Sequence, residues 1–183
     1  MNTLVVIGGS AGSFRIATEL LACMKKDPQR AVVVCLHRWK EKATEFVKTL
    51  TAKAPATAME ITDKMPLLPG HIYVVPSNYH MYVSDNGSFI LTNEEEYSFS
   101  RPSIDICFSE LARVYREKVT AILLSGANND GAEGVTAVLN NGGKAIIQLP
   151  SECEISVMTD AAIEANPTAT VLPVSEIKKQ LAF

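Results

Sequence analysis

Three short polar segments, each directly after an apolar run, carry the residue types of acyl-transfer chemistry. Gly8-Gly9-Ser10-Ala11-Gly12-Ser13 follows Leu4 to Ile7, His37-Arg38-Trp39 follows Ala31 to Leu36, and Ser125-Gly126-Ala127-Asn128-Asn129-Asp130-Gly131 follows Val119 to Leu124. A serine among small residues at a strand-to-helix turn exposes its hydroxyl and collects backbone N–H groups around one point, which suits a nucleophile whose product is an oxyanion. Histidine is the side chain that accepts such a proton near neutral pH, and an aspartate orients the imidazole. Each residue also has a plainer reading: Ser10 and Asp130 as helix caps, His37 as a hydrogen-bonded strand-end residue. Their coincidence after three apolar runs favours the catalytic reading of Ser10, His37 and Asp130. The order Ser…His…Asp differs from the Ser…Asp…His of the α/β-hydrolases, so that fold is not implied. The turn at Gly8 does not meet G-x-G-x-x-G either, since Ser10 and Ser13 stand where the second and third glycines belong; a dinucleotide site is discounted.

The elements that must position these residues read as an α/β chain. Leu4 to Ile7 and Ala31 to Leu36 are continuous apolar runs, as expected of parallel strands covered on both faces. Between them Phe14, Ala17, Leu21 and Met24 share one helical face, which makes a βαβ unit. A helix is expected over Lys40 to Leu50. The middle changes character: His71 to Val75 reads as a strand, and Met81 to Val83 and Ser88 to Leu91 as a hairpin around Asp85-Asn86-Gly87. Arg101-Pro102-Ser103 opens a helix to about Arg116, with proline in its first turn. Strands at Val119 to Leu124, Lys144 to Gln148 and Ala169 to Leu172 alternate with helices to Asn140, at Val157 to Ala165 and at Ser175 to Leu181. The expectation is one three-layer α/β domain over residues 1–183, with a mostly parallel sheet, helices on both faces and a β-hairpin insertion. Ligands of such sheets collect at the carboxyl ends of the strands, where the three polar segments lie.

Composition excludes several function classes. The chain has 183 residues, 47% hydrophobic and 20% charged, with a net charge of −3. No basic cluster suggests a nucleic-acid partner. No apolar run is long enough to cross a bilayer, and Met1 is not followed by a secretory signal, so a cytoplasmic location without membrane insertion is expected. Cys23, Cys35, Cys107 and Cys153 are scattered without metal-ligand spacing, so neither a metal site nor a disulfide framework is expected.

Nearly the whole chain, from Val6 to about Ile177, resembles the catalytic domain of the chemotaxis protein-glutamate methylesterases (the CheB family). Matching segments are Ile7 to Gly12, Leu68-Pro69-Gly70-His71-Ile72-Tyr73-Val74-Val75-Pro76, and His80. The most distinctive is Arg101-Pro102-Ser103-Ile104-Asp105-Ile106-Cys107-Phe108, followed by Gly126, Asn129-Asp130-Gly131-Ala132, Gly142-Gly143 and Gln148. The resemblance implies hydrolysis of glutamate γ-methyl esters on chemoreceptor helices in chemotaxis signal transduction, with deamidation of glutamine as a second activity and no cofactor. Ser10 would be the nucleophile, His37 the general base and Asp130 the orienting carboxylate. Backbone N–H groups of Ala11, Ala127 and Asn128 would hold the oxyanion, and His80 and Met158 would contact substrate. Family members commonly carry a phosphorylatable receiver domain; none is expected in this chain, which leaves a separate receiver protein of a phosphorelay as the candidate regulator.

Four departures from the family pattern lie at the presumed rim: Ser13 for a glycine, Arg38-Trp39 for an aliphatic residue and proline, Ala127-Asn128 for Met-Gly, and Val157-Met158-Thr159 for Gly-Met-Pro. They bear on substrate choice and oxyanion geometry more than on fold. Two rival readings therefore stand beside the methylesterase: a hydrolase of the same fold acting on another ester, and a degenerate adaptor that binds without turnover. Arg38 is expected to offer its charge to acidic receptor helices at the cleft mouth.

Overall fold

A computed structural model describes residues 1–38, 43–97 and 100–182. Seven strands form one parallel sheet: β1 (Thr3–Gly9), β2 (Arg30–Leu36), β3 (Thr57–Glu60), β4 (His71–Val74), β7 (Val119–Leu123), β8 (Lys144–Gln148) and β9 (Thr170–Leu172). Their spatial order is β3-β4-β2-β1-β7-β8-β9, so the strand order reverses around β1. The remaining pair, β5 (His80–Val83) and β6 (Phe89–Thr92), is a separate antiparallel hairpin with His80 opposite Thr92 and Val83 opposite Phe89.

The uninterrupted apolar runs follow from a sheet covered on both faces. Alternate residues of β1 and β2 enter opposite cores: Leu4, Val6, Val33 and Cys35 one, Val5, Ile7, Val32 and Val34 the other. Helices α3 (Ile104–Tyr115), α4 (Ala132–Asn140) and α5 (Val157–Ala165) build the first core with the hairpin residues Met81, Val83 and Phe89. Helices α1 (Phe14–Cys23), α2 (Ala43–Thr51) and α6 (Val174–Leu181) cover the other face. Among the described residues, no helix is long and apolar enough to cross a membrane.

Several details differ from expectation. Strand β3 went unread because it is a short edge strand whose residues are at most half-buried. Pro102 precedes the N-cap Ser103 instead of lying in the first turn of α3. Phe14 is partly exposed, and α1 packs through Ile16, Ala17, Leu20 and Leu21. The expected helix start at Lys40 lies outside the described residues.

Candidate active site

Strands β2, β1 and β7 are neighbours and parallel, so the segments after them share one edge of the sheet. Ser10, His37 and Asp130 all lie at that edge. Backbone bonds tie the segments together: the Ser10 N–H donates to Ser125 O (2.9 Å) and the His37 N–H to Gly9 O (3.0 Å). The Ser10 turn closes on itself, its carbonyl accepting both the Ser13 N–H (3.0 Å) and the Ser13 hydroxyl (2.6 Å). Gly12 completes the turn at φ +80°, and a Cβ there would come within 2.5 Å of Glu154. A side chain at that position would be both strained and crowded.

The His37 ring is fixed from below. Its Nε2–H donates to Asp130 Oδ2 at 2.8 Å, and Asp130 is fully buried. An ionised carboxylate only accepts, so Nε2 carries the proton and Nδ1 carries the lone pair. This reverses the ring orientation of the serine proteases, in which Nδ1–H faces the aspartate. Asp130 also accepts the backbone N–H groups of Ile104 (2.7 Å) and Asp105 (2.8 Å) and the Ser103 hydroxyl (3.0 Å). Burial pushes its carboxyl up, but the His37 bond and the N–H groups of Asp105 and Ile104 outweigh burial and hold it below the ordinary aspartate value.

A second aspartate mirrors the first. Asp105 Oδ1 accepts the N–H groups of Gly131 (2.8 Å) and Gly134 (2.7 Å). Asp130 thus sits on the N-terminus of α3, and Asp105, in the first turn of α3, sits on the N-terminus of α4. Both positions are favoured by unpaired N–H groups and the helix dipole. Gly131 lets the chain turn between them at φ +101°, with Leu123 only 2.6 Å from where a Cβ would stand. Burial pushes the Asp105 carboxyl up to about 7; the Gly131 and Gly134 N–H groups oppose this and the Asp130 charge adds to it.

His37 Nδ1 lies 3.2 Å from Ser100 Oγ, which also receives a bond from Asn128 Nδ2 (3.2 Å). Ser10 Oγ makes no hydrogen bond among the described residues, although the Ser10 and His37 segments are joined through the backbone. The Ala11 N–H has no acceptor among the described residues, nor has that of Ala127, and both residues are exposed at the rim. The Asn128 side chain is built into the site, its Oδ1 accepting the Asp130 N–H (3.3 Å). Ser125 Oγ lies 2.7 Å from Ala11 O and 2.9 Å from Ile155 O, pinning the Ser10 turn to the segment before α5.

Three expected substrate contacts are placed differently. Arg38 has a side chain only 6% exposed; it stands 3.3 Å from Glu60 on β3 and 4.5 Å above the Phe46 ring of α2. Its long apolar stem and delocalised charge suit that interior, so the charge is not offered at the cleft mouth. His80 is buried, with Nε2–H donating to Glu95 O (2.9 Å) and Nδ1 accepting the Ser103 N–H (3.2 Å), so it braces the start of α3. Met158 is fully buried and packs against Gly126, where a Cβ would come within 2.5 Å of its Cε. Thr159 is also buried, its hydroxyl donating to Ser156 O (2.9 Å), and Trp39 lies outside the described residues. Ser100, Ser103, Asp105 and Ser125 were not singled out from the sequence. Ser103 and Asp105 stood inside the most distinctive segment; Ser100 carried no signal of its own. Among the described residues, no group of three or more His, Cys, Asp or Glu is placed to hold a metal ion.

The model of the CheB methylesterase family matches residues 5–181. The chain is 33% identical over 173 residues to a putative protein-glutamate methylesterase/protein-glutamine glutaminase of Leptospira interrogans, covering 94% of this chain and 90% of that relative. It is 29% identical over 178 residues to the protein-glutamate methylesterase/protein-glutamine glutaminase of Azospirillum brasilense, covering 95% of this chain but 45% of that longer relative. The crystal structure of the Thermotoga maritima CheB methylesterase catalytic domain is similar with a TM-score of 0.92 at 26% identity, over 100% of this chain and 98% of that one.

Proposed function

Because the chain belongs to the CheB methylesterase family, we propose that it hydrolyses γ-methyl esters of protein glutamates and deamidates protein glutamines. The substrate we infer is a methylated helix of a chemoreceptor. The observation that carries the reading is the buried His37–Asp130 pair at 2.8 Å, set at the sheet edge that also bears Ser10.

Ser10 Oγ attacks the ester carbonyl as its proton passes to His37 Nδ1, and Asp130 stabilises the imidazolium through Nε2. The N–H groups of Ala11 and Ala127 receive the oxyanion. Collapse of the tetrahedral adduct breaks the C–O bond, His37 returns the proton to the leaving oxygen, and methanol departs. Water, deprotonated by His37, then attacks the acyl-Ser10 ester and frees the glutamate carboxylate. With a glutamine the same steps release ammonia. A second reading, a hydrolase for another ester, is favoured only by the Asn128 side chain, which enters the site where the family usually has glycine.

The test is methanol release from methylated receptor. Ser10→Ala is expected to lower the rate by about three orders of magnitude or more while leaving the fold intact, and a serine-directed fluorophosphonate should label Ser10. Undiminished turnover by Ser10→Ala defeats the proposal. Labelling without methanol release would move it to the second reading.

A further inference from the structure

The hydroxyl that occupies the basic nitrogen of His37 belongs to Ser100, not Ser10. Asp130 fixes the proton of the ring on Nε2, so Nδ1 offers a lone pair, and Ser100 Oγ at 3.2 Å is the donor that meets it. Asn128 settles which way the Ser100 proton points. Its Oδ1 accepts the Asp130 N–H, so the amide cannot be turned round without setting N–H against N–H. Its Nδ2 therefore donates to Ser100 Oγ, and the hydroxyl proton is left for His37.

Ser100 is not a loosely placed surface serine. It is 91% buried, being 9% exposed, and it exchanges two backbone bonds with Tyr97 (3.0 and 3.3 Å). Tyr97 is in turn held to α4 by its phenol on Glu133 (2.7 Å), and Arg101 binds the carbonyls of Asn93 and Glu94 (2.9 and 2.6 Å). Ser100 is thus anchored on both sides.

We propose that Ser100, oriented by Asn128, is a positioning residue that clasps the basic nitrogen of His37 in the resting enzyme and must yield it before Ser10 can transfer its proton. The proposal rests on the reading of Ser10 as nucleophile and His37 as base. The Ser100 bond exists only while Nδ1 is an acceptor. Once Nδ1 takes the Ser10 proton it becomes a donor, and the Ser100 proton must turn away. An interaction present in the ground state and absent from the transition state slows the chemical step, so its removal speeds it. The net worth of a neutral hydrogen bond sets the gain at about two- to tenfold.

Two measurements test this. In 15N NMR at a pH where the ring is neutral, Ser100→Ala should move the His37 Nδ1 resonance downfield, toward an unbonded imidazole, while Nε2 stays; Ser100→Thr should restore it. The second-order rate of fluorophosphonate labelling should rise about two- to tenfold in Ser100→Ala and less in Asn128→Ala, whose backbone N–H is retained, and Ser100→Thr should match the parent. A serine that merely supports the fold would slow labelling when removed. An unmoved Nδ1 resonance, or a labelling rate in both alanine variants at or below that of the parent, overturns the proposal. Peptide mapping of the adduct keeps the two readings apart: label on a serine other than Ser10 defeats the nucleophile assignment, whereas the Nδ1 resonance reports the clasp without any turnover.

Discussion

Replacing Asp105 by asparagine should make the protein more stable at alkaline pH and leave it almost unchanged in acid. The Asp105 carboxyl is 4% exposed, and its Oδ1 accepts two helix N–H groups, which an asparagine oxygen also accepts. The substitution therefore removes the charge and keeps the bonds. In the fold this carboxyl rises from its ordinary 3.8 to about 7, because burial, and then the neighbouring Asp130 charge, disfavour ionisation. Between those two pH values the native chain holds a proton that the unfolded chain has released. Stability consequently falls as pH rises through the window, by at most ~4 kcal/mol, and is level above it. Asp130 has the opposite sign: its carboxyl is lowered, so its contribution is present above the ordinary aspartate range and lost as pH falls through its folded value. Glu110, Glu133 and Tyr97 line with Asp105 a hollow of about 310 Å³, so other titratable groups lie near it. These other groups are common to parent and variant, so their contributions largely cancel in the difference. Urea denaturation at pH 4.5 and pH 8 should show the two proteins within about 1 kcal/mol at the lower pH and Asp105→Asn ahead by about 2–4 kcal/mol at the higher. A parent–variant difference that is the same at both pH values, or a variant less stable at pH 8, would refute the account of Asp105 as a buried acid held for its geometry at the expense of its charge.

Asp130→Ala should be the more damaging change, since it strands the N–H groups of Ile104 and Asp105 in the interior as well as freeing His37; a loss of about 3–5 kcal/mol in urea and of about 10⁴ in kcat is expected, and wild-type stability would show that the N-terminus of α3 does not need it. Arg38→Met should leave KM unchanged at every ionic strength and change stability by less than about 2 kcal/mol, because its charge is 6% exposed and serves Glu60 and Phe46. A KM that rises in the variant, most at low salt, would restore the docking role.

The sheet was legible because burial on both faces leaves continuous apolar runs, and the polar residues that end them mark the edge that carries the candidate site. Ser10 and His37 could be found that way, each being the first reactive side chain after a run, and Asp130 as the carboxylate of the third loop. The hairpin was legible from Asn86-Gly87, yet its separation from the main sheet was not, since strand pairing across the chain leaves no local trace. Arg38, His80 and Met158 were misplaced for a common reason. A residue's place in the sequence fixes where the backbone passes, whereas the side chain goes where burial takes it: Arg38 over Phe46, Met158 beneath Gly126, His80 under Ser103. Ser100 could not be read at all, because its contact with His37 spans 63 residues and leaves no local trace in the sequence.

The segment Arg101 to Phe108 bears directly on how the site is held. It supplies none of the proposed reacting groups, yet Ser103, Ile104 and Asp105 provide three of the four bonds to the Asp130 carboxylate. The fourth is His37 itself. A carboxylate whose charge is already met by a helix N-terminus can remain ionised in the interior while the imidazole is neutral, and is there to stabilise an imidazolium when the ring takes up a proton. The same helix turn carries Asp105, which holds Gly131, the residue next to Asp130, from the other side. The position of Asp130 is thus set by two helix ends facing each other, with backbone N–H groups as the fasteners. Backbone donors remain when the side chains around them change, so the 2.8 Å His37–Asp130 bond rests mainly on groups that substitution does not remove.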